Sequence, residues 1–144
     1  MVEARRSSGE NPAAEYALLT QIADELRRRI ELLNAALGEM AAAKSALEEV
    51  EKLETGEEIL VPLGSGVYLK ATIADKQSAL LALGADVVVE RSFSEIREYL
   101  DRREQQIREA LQKSVNDYQV VVSRLRELER ELRATAGSQP RLTL

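Results

Sequence analysis

Hydrophobic residues recur along this chain with two different periods, and the change between them divides it into three parts. From Leu19 the apolar positions step by three and four: Leu19, Ile22, Leu26, Arg29, Leu33, Ala36, Met40, Ala43, Leu47, Val50. Nine of these ten are apolar, the seam of a coiled-coil helix, and Ile30 and Leu37 flank it and widen the stripe. Thr55-Gly56 stops the pattern with a residue suited to a helix end. A second seam follows the capping-box spacing Ser92-Phe-Ser-Glu95. It runs Leu100, Glu104, Ile107, Leu111, Ser114, Tyr118, Val121, Leu125, Leu128, Leu132, and ends at Ala136-Gly137. At about 1.5 Å per residue, residues 16–54 and 94–134 make rods of roughly 58 and 60 Å. Two equal helices joined by a compact insert fold back as an antiparallel hairpin. Residues near 18 then lie beside residues near 130, and both chain ends meet at one free tip.

Between the helices the period becomes that of strands. Ile59, Leu60, Val61 and Leu63 precede Gly64-Ser-Gly66, and Val67 and Leu69 follow it in Val67-Tyr-Leu-Lys-Ala-Thr-Ile73, a β-hairpin signal. Pro62 leaves one amide missing, as at an edge or a strand end. Leu81 and Leu83, then Gly84-Ala-Asp86, then Val87, Val88 and Val89 repeat the arrangement. Residues 76–83 also have helical propensity, but Gly84 and the triple Val favour a second hairpin. The expected organisation is a tail over 1–15, a helix over 16–56, two hairpins over 57–92, a helix over 93–136 and a tail over 137–144. The fold class is α+β, a long antiparallel coiled-coil hairpin with two β-hairpins between its helices. Isolated hairpins are marginal in water, and several of these strands are apolar on both faces, so each face needs cover. A single helix pair pointing away cannot supply it. The chain is therefore expected to oligomerise through its β segment into a hub.

Composition narrows the chemistry. Of 144 residues, 44% are hydrophobic, 31% charged and 3% aromatic, the balance of long helices. Zero Cys removes disulfides and a thiol nucleophile, and zero His removes the commonest general base and metal ligand. No residue pattern calls for a metal or a cofactor. A net charge of −5 argues against phosphate-backbone binding, and Arg5-Arg6 and Arg102-Arg103 are too diluted by acids to form a nucleic-acid patch. No apolar run reaches the length of a membrane span and the first ten residues lack an apolar signal core, so a soluble cytoplasmic protein is expected. Gly64-Ser-Gly66 lacks the Gly-Lys-Ser/Thr ending of a phosphate cradle. Glu48, Glu49 and Glu51 have the spacing of a solvated helix face, not of an acid/base pair. On the seams, Tyr118 and Ser114 tune packing or register, and Arg29 either pairs with Glu104 or another carboxylate across the hairpin or snorkels.

Val61-Pro-Leu-Gly-Ser-Gly-Val-Tyr-Leu-Lys-Ala71 and Leu83-Gly-Ala-Asp-Val-Val-Val-Glu-Arg91, set between two heptad helices, resemble archaeal prefoldin alpha subunits over residues 16–135. Two hairpins rather than one is similar to the alpha class and not to the beta class. The resemblance implies a hexamer of two alpha and four beta subunits with a double β-barrel hub and six coiled-coil tentacles. It also implies an ATP-independent chaperone that holds unfolded polypeptides at its tips and passes them to a group II chaperonin. The residues agree: Leu18, Leu19 and Ile22 face Leu125, Leu128 and Leu132 at the free tip, where a splayed seam would expose them to an apolar client. Several weak tips acting on one client would gain about 10²-fold or more through effective concentration. A passive coiled-coil scaffold shares the oligomer but not the affinity for unfolded chains. An enzyme is disfavoured, because two rods and two apolar hairpins build no convergent polar cleft.

Overall fold

A computed structural model of the chain describes residues 11–138. In chain order these are helix α1 (Pro12–Glu51), strands β1 (Glu58–Gly64), β2 (Val67–Thr72), β3 (Ser78–Gly84) and β4 (Val87–Ser92), and helix α2 (Phe93–Ser138). β1 pairs with β2 and β3 with β4, both antiparallel, giving two separate two-stranded sheets. The described part of the chain divides into two compact units. One contains residues 11–34 and 108–138; the other is Ala35–Ile107 and contains all four strands.

Helix boundaries follow their caps. The Ala14 amide donates to Asn11 Oδ1 (3.1 Å), and Pro12 occupies the first helical position, where its missing N–H costs nothing. α1 therefore starts at Pro12, and residues 12–15, expected in a tail, are its first turn. At the other end α1 stops at Glu51 rather than reaching residue 56. Lys52 and Leu53 donate to Glu49 and Val50 in a tightened last turn (3.2 and 3.1 Å). Gly56, read from sequence as the helix end, instead opens the first hairpin. With φ 90° it turns its amide onto the Ile73 carbonyl (2.7 Å) while the Ile73 amide donates to Glu57 (3.0 Å). The expected cap of α2 is present, the Ser92 hydroxyl accepting from the Glu95 amide (3.1 Å) and donating to Glu95 Oε1 (3.1 Å). α2 runs on through Gly137 to Ser138, since one helical Gly costs about 1 kcal/mol and does not by itself end a helix. The remaining tail residues, 1–10 and 139–144, lie outside the described part.

In the first unit the two helices meet along Leu19, Ile22, Ala23, Leu26, Ile30 and Leu33 of α1, all at least half-buried. Their counterparts on α2 include the buried Ser114 and Leu128. The antiparallel pairing expected from the seams is present: the Tyr16 hydroxyl donates to Glu129 (3.0 Å) and Arg124 clasps Glu15 (2.9 and 3.0 Å). The α1 seam differs in phase from the one read in sequence. Leu19, Leu26, Leu33, Met40 and Leu47 belong to both phases, but Ile30 and Lys44 are covered where Arg29 and Ala43 were expected. Keeping Arg29 exposed spares its guanidinium the loss of water. Within the second unit it is Lys44 that reaches Glu104: its Nζ lies 2.6 Å from Asp101 and 3.1 Å from Glu104. Arg97 and Glu51 form a further ion pair there.

A candidate assembly surface and a candidate holding surface

The hairpins are built alike, twenty residues apart. Glu58–Thr72, Ile59–Ala71, Leu60–Lys70, Val61–Leu69 and Pro62–Tyr68 pair in the first, and Ser78–Ser92, Ala79–Arg91, Leu80–Glu90, Leu81–Val89 and Ala82–Val88 in the second. In each, one extra residue (Leu63, Leu83) bulges before the closing pair Gly64–Val67 or Gly84–Val87. Each closes on a two-residue turn with both φ angles positive, Ser65 (51°) with Gly66 (80°) and Ala85 (49°) with Asp86 (61°). That is the type I′ geometry whose twist matches the strands. Residues 78–83, which also carried helical propensity, are strand.

Paired residues share a face, so the sheets can be read side by side. On one face of the first lie Ile59, Val61, Leu69 and Val67; on the other, Leu60, Pro62, Tyr68 and Lys70. The second has Leu81, Val89 and Val87 on one face and Leu80, Ala82, Val88 and Glu90 on the other. Below the strands Ile73, Phe93 and Ile96 are buried, and there the core of this unit ends. Leu60, Leu63, Val67, Leu69, Leu83, Val87 and Val88 are each more than half exposed, Val61 somewhat less, and Ile59, Leu81 and Val89 are half-buried. Tyr68 (60%) and Leu80 (73%) are as open as any of these, and were not among the residues picked from sequence. The twenty-residue repeat, which aligns Leu60 with Leu80, was the signal for Leu80. So many large apolar side chains over two small sheets exceed the scattered exposure usual for a monomer.

The helix ends of the first unit differ. Leu18 is 58% exposed, Leu19, Ile22, Leu125 and Leu132 are half-buried, and Leu128 is wholly buried. The seam is closed in this conformation, and of the six residues singled out only Leu18 lies open. Charges fasten its rim. The Arg124 guanidinium holds the Glu15 carboxyl below the usual carboxylate range, and Arg124 itself is raised by Glu15 and by Glu127 at 3.0 Å. Hydrogen bonding to Glu129 raises the Tyr16 phenol. In the other unit, hydrogen bonds to Asp101 and then Glu104 raise the Lys44 ammonium. Among the described residues no acidic cluster could hold a metal ion, and no helix is long and apolar enough to cross a membrane.

A family model described as prefoldin subunit matches residues 19–138. A prefoldin subunit alpha of Thermofilum pendens is 39% identical over 126 residues, covering 88% of this chain and 98% of its own. One from Pyrococcus horikoshii is 34% identical over 131 residues, covering 90% and 88%. Among solved structures, filamentous PFD from Methanocaldococcus jannaschii superposes with a TM-score of 0.53 at 17% identity, over 90% of this chain and 99% of that one. This last likeness is one of fold.

Proposed function

The chain belongs to the prefoldin family, and from that premise we propose that it is the alpha-type subunit of an ATP-independent holding chaperone. It assembles through its two β-hairpins with beta-type subunits into a hexamer of two alpha and four beta chains. The helical unit of residues 11–34 and 108–138 captures unfolded polypeptides, and the complex passes them to a group II chaperonin. One observation carries the assembly step: each hairpin carries large apolar side chains on both faces, and most of them, Leu60, Val67, Leu69, Leu80, Val87 and Val88 among them, are more than half exposed. Covering them removes apolar surface from water at roughly 25 cal/mol per Å².

Capture follows from the same physics at lower affinity. Leu18 offers a first apolar contact, and opening of the seam adds Leu19, Ile22, Leu125, Leu128 and Leu132. Each arm binds weakly, and several arms on one client multiply that affinity through effective concentration. Release needs no nucleotide, because a larger apolar surface competes for the client at equilibrium. The closed seam at Leu128 favours one other reading, a passive coiled-coil scaffold. Aggregation of a chemically denatured model protein separates the two. The assembled complex at a molar ratio near one is expected to suppress light scattering and the Leu18→Ser complex to do so less. Scattering equal to that with inert protein would make the chain a scaffold.

A further inference from the structure

Leu33, Met40 and Leu47 of α1 can share a covered stripe with either of two sets of companions. Three residues on from each lie Ala36, Ala43 and Val50; four residues on lie Leu37, Lys44 and Glu51. The first set holds no charge and the second holds two. The structure nonetheless covers Lys44 and exposes Ala43, with Ala36 and Val50 half-buried at the flank. Only 29% of the Lys44 side chain and 35% of the Glu51 side chain remain in solvent. Withdrawing unpaired charges from water is costly, so apolar content by itself favours the other phase. What reverses the choice stands on α2. Lys44 Nζ reaches Asp101 (2.6 Å) and Glu104 (3.1 Å), and Glu51 accepts from Arg97.

The same charges bear on the alignment of the helices along their length. Lys44 and Glu51 lie seven residues apart on α1, and Arg97 and Glu104 seven apart on α2. One antiparallel alignment therefore satisfies both pairs at once. The apolar seam cannot make that distinction. Met40 and Leu47 on α1, and Leu100 and Ile107 on α2, also repeat every seven residues, so a slide of one heptad, about 10 Å, brings apolar residues together again. In one direction that slide sets Glu51 against Glu104, and in the other Lys44 against Arg97. The chain itself does not forbid it, because residues 52–55 between α1 and Gly56 span up to about 13 Å when extended. We propose that these two ion pairs are a register lock: Lys44 with Asp101 and Glu104, and Glu51 with Arg97, select one phase and one alignment of the helices beside the hairpins from several that the apolar seam accepts. Fixing register is the best-attested use of charged or polar groups on such a seam.

The chain has no Cys, so introduced cysteine pairs report the alignment without background. Leu47 lies between Lys44 and Glu51, and Leu100 between Arg97 and Glu104, so Leu47→Cys with Leu100→Cys reports the native alignment. Leu47→Cys with Ile107→Cys, and Met40→Cys with Leu100→Cys, report a slide of one heptad in either direction. Each pair is placed in the full chain and treated with a short bifunctional maleimide, and the intramolecular link is read from the monomer band on a denaturing gel. With native charges, only the first pair is expected to link. Lys44→Glu with Glu51→Lys sets like charges opposite at both places, and each slide then restores one attraction. The native link is expected to fall about tenfold and a slipped link to rise. Adding Arg97→Glu, Asp101→Lys and Glu104→Lys should return the native link. A native link unchanged by the exchange on α1, or not returned by the exchange on α2, overturns the lock. If the α1 exchange does not fold, Lys44→Leu with Glu51→Leu decides, since apolar replacement of such pairs is often neutral or stabilising. Native and slipped links together are expected; the native link alone would show that the seam and hairpins set the alignment without the charges, and overturn the proposal.

Discussion

Among the described residues Leu128 is the largest side chain wholly withdrawn from solvent, which makes Leu128→Ala the sharpest probe of how the helical unit works. Removing a buried Leu forfeits its transfer free energy and leaves a cavity, together about 2–5 kcal/mol. A seam between two helices is open along its sides and can partly collapse, so the lower part of that range applies, about 2–3 kcal/mol. At 1.4 kcal/mol per decade this raises the population of the opened seam about 30- to 150-fold. Native-state hydrogen exchange reads it directly: amides over residues 111–132 are expected to exchange faster by that factor, while those of the β strands do not change. If capture draws on the opened seam, the variant complex should hold more denatured client at equal concentration, because the competent state is more populated by more than the roughly tenfold cost of losing Leu128 as one of the proposed client contacts, about 1.4 kcal/mol. Seam amides that exchange within threefold of wild type would refute the energetic reasoning. Faster exchange without increased holding would refute the link between opening and capture, and leave Leu18 and its exposed surroundings as the holding surface.

Three further outcomes are expected. Val88→Asp, at a position more than half exposed on β4, loses about 1 kcal/mol of apolar burial and places a carboxylate in a covered face at several kcal/mol. Gel filtration should show released subunits, and an intact oligomer would exclude the second hairpin from the interface. Ala85 adopts φ 49°, at a cost of about 1–2 kcal/mol for an L residue, part of which Gly returns as chain entropy. Ala85→Gly is therefore expected to stabilise the protein by about 0.5–1 kcal/mol, read as a higher denaturant midpoint at fixed subunit concentration. The Glu15–Arg124 pair depends on pH with a definite sign. The folded carboxyl is depressed, so its contribution is complete above the ordinary carboxylate range and lost as pH falls through the lowered value. The melting temperature of Glu15→Gln should lie below wild type at neutral pH and converge with it in acid; a gap that persists unchanged at low pH would rule the pair out as its source.

Much of this architecture is legible because period and solvent pattern agree. The strands announce themselves through residues apolar on both faces and through Gly64 and Gly84 at positions of φ 109° and 102°, and the second helix through Ser92 and Glu95. What escaped is what depends on a partner distant in sequence. Leu19, Leu26, Leu33, Met40 and Leu47 satisfy two seam phases equally, and only the opposing helix decides that Ile30 and Lys44 are covered instead of Arg29 and Ala43. A lysine on a seam looks like an error until Asp101 and Glu104, fifty-seven and sixty residues on, supply its counter-charges. Asn11 and Pro12 carried the helix start openly, but their polar surroundings disguised it as a tail.

The holding surface was the least legible feature for a related reason. A leucine at the end of a coiled coil and a leucine that binds a client obey the same spacing, so periodicity cannot separate core from site. Solvent exposure does separate them here: Leu18 lies off the covered stripe and Leu128 at its centre, although both sit among the helix ends of one unit. A chaperone that must not bind folded proteins gains from that arrangement. On the capture proposed above, one open leucine would give an encounter too weak to retain a compact protein, whereas an extended chain that reached the seam during an opening would compete with the helices for Leu125, Leu128 and Leu132. The stability of the seam would then set the threshold for binding, and the ion pairs of Arg124 with Glu15, Glu127 and Glu131 would help to set it from the rim without occupying the surface a client would use.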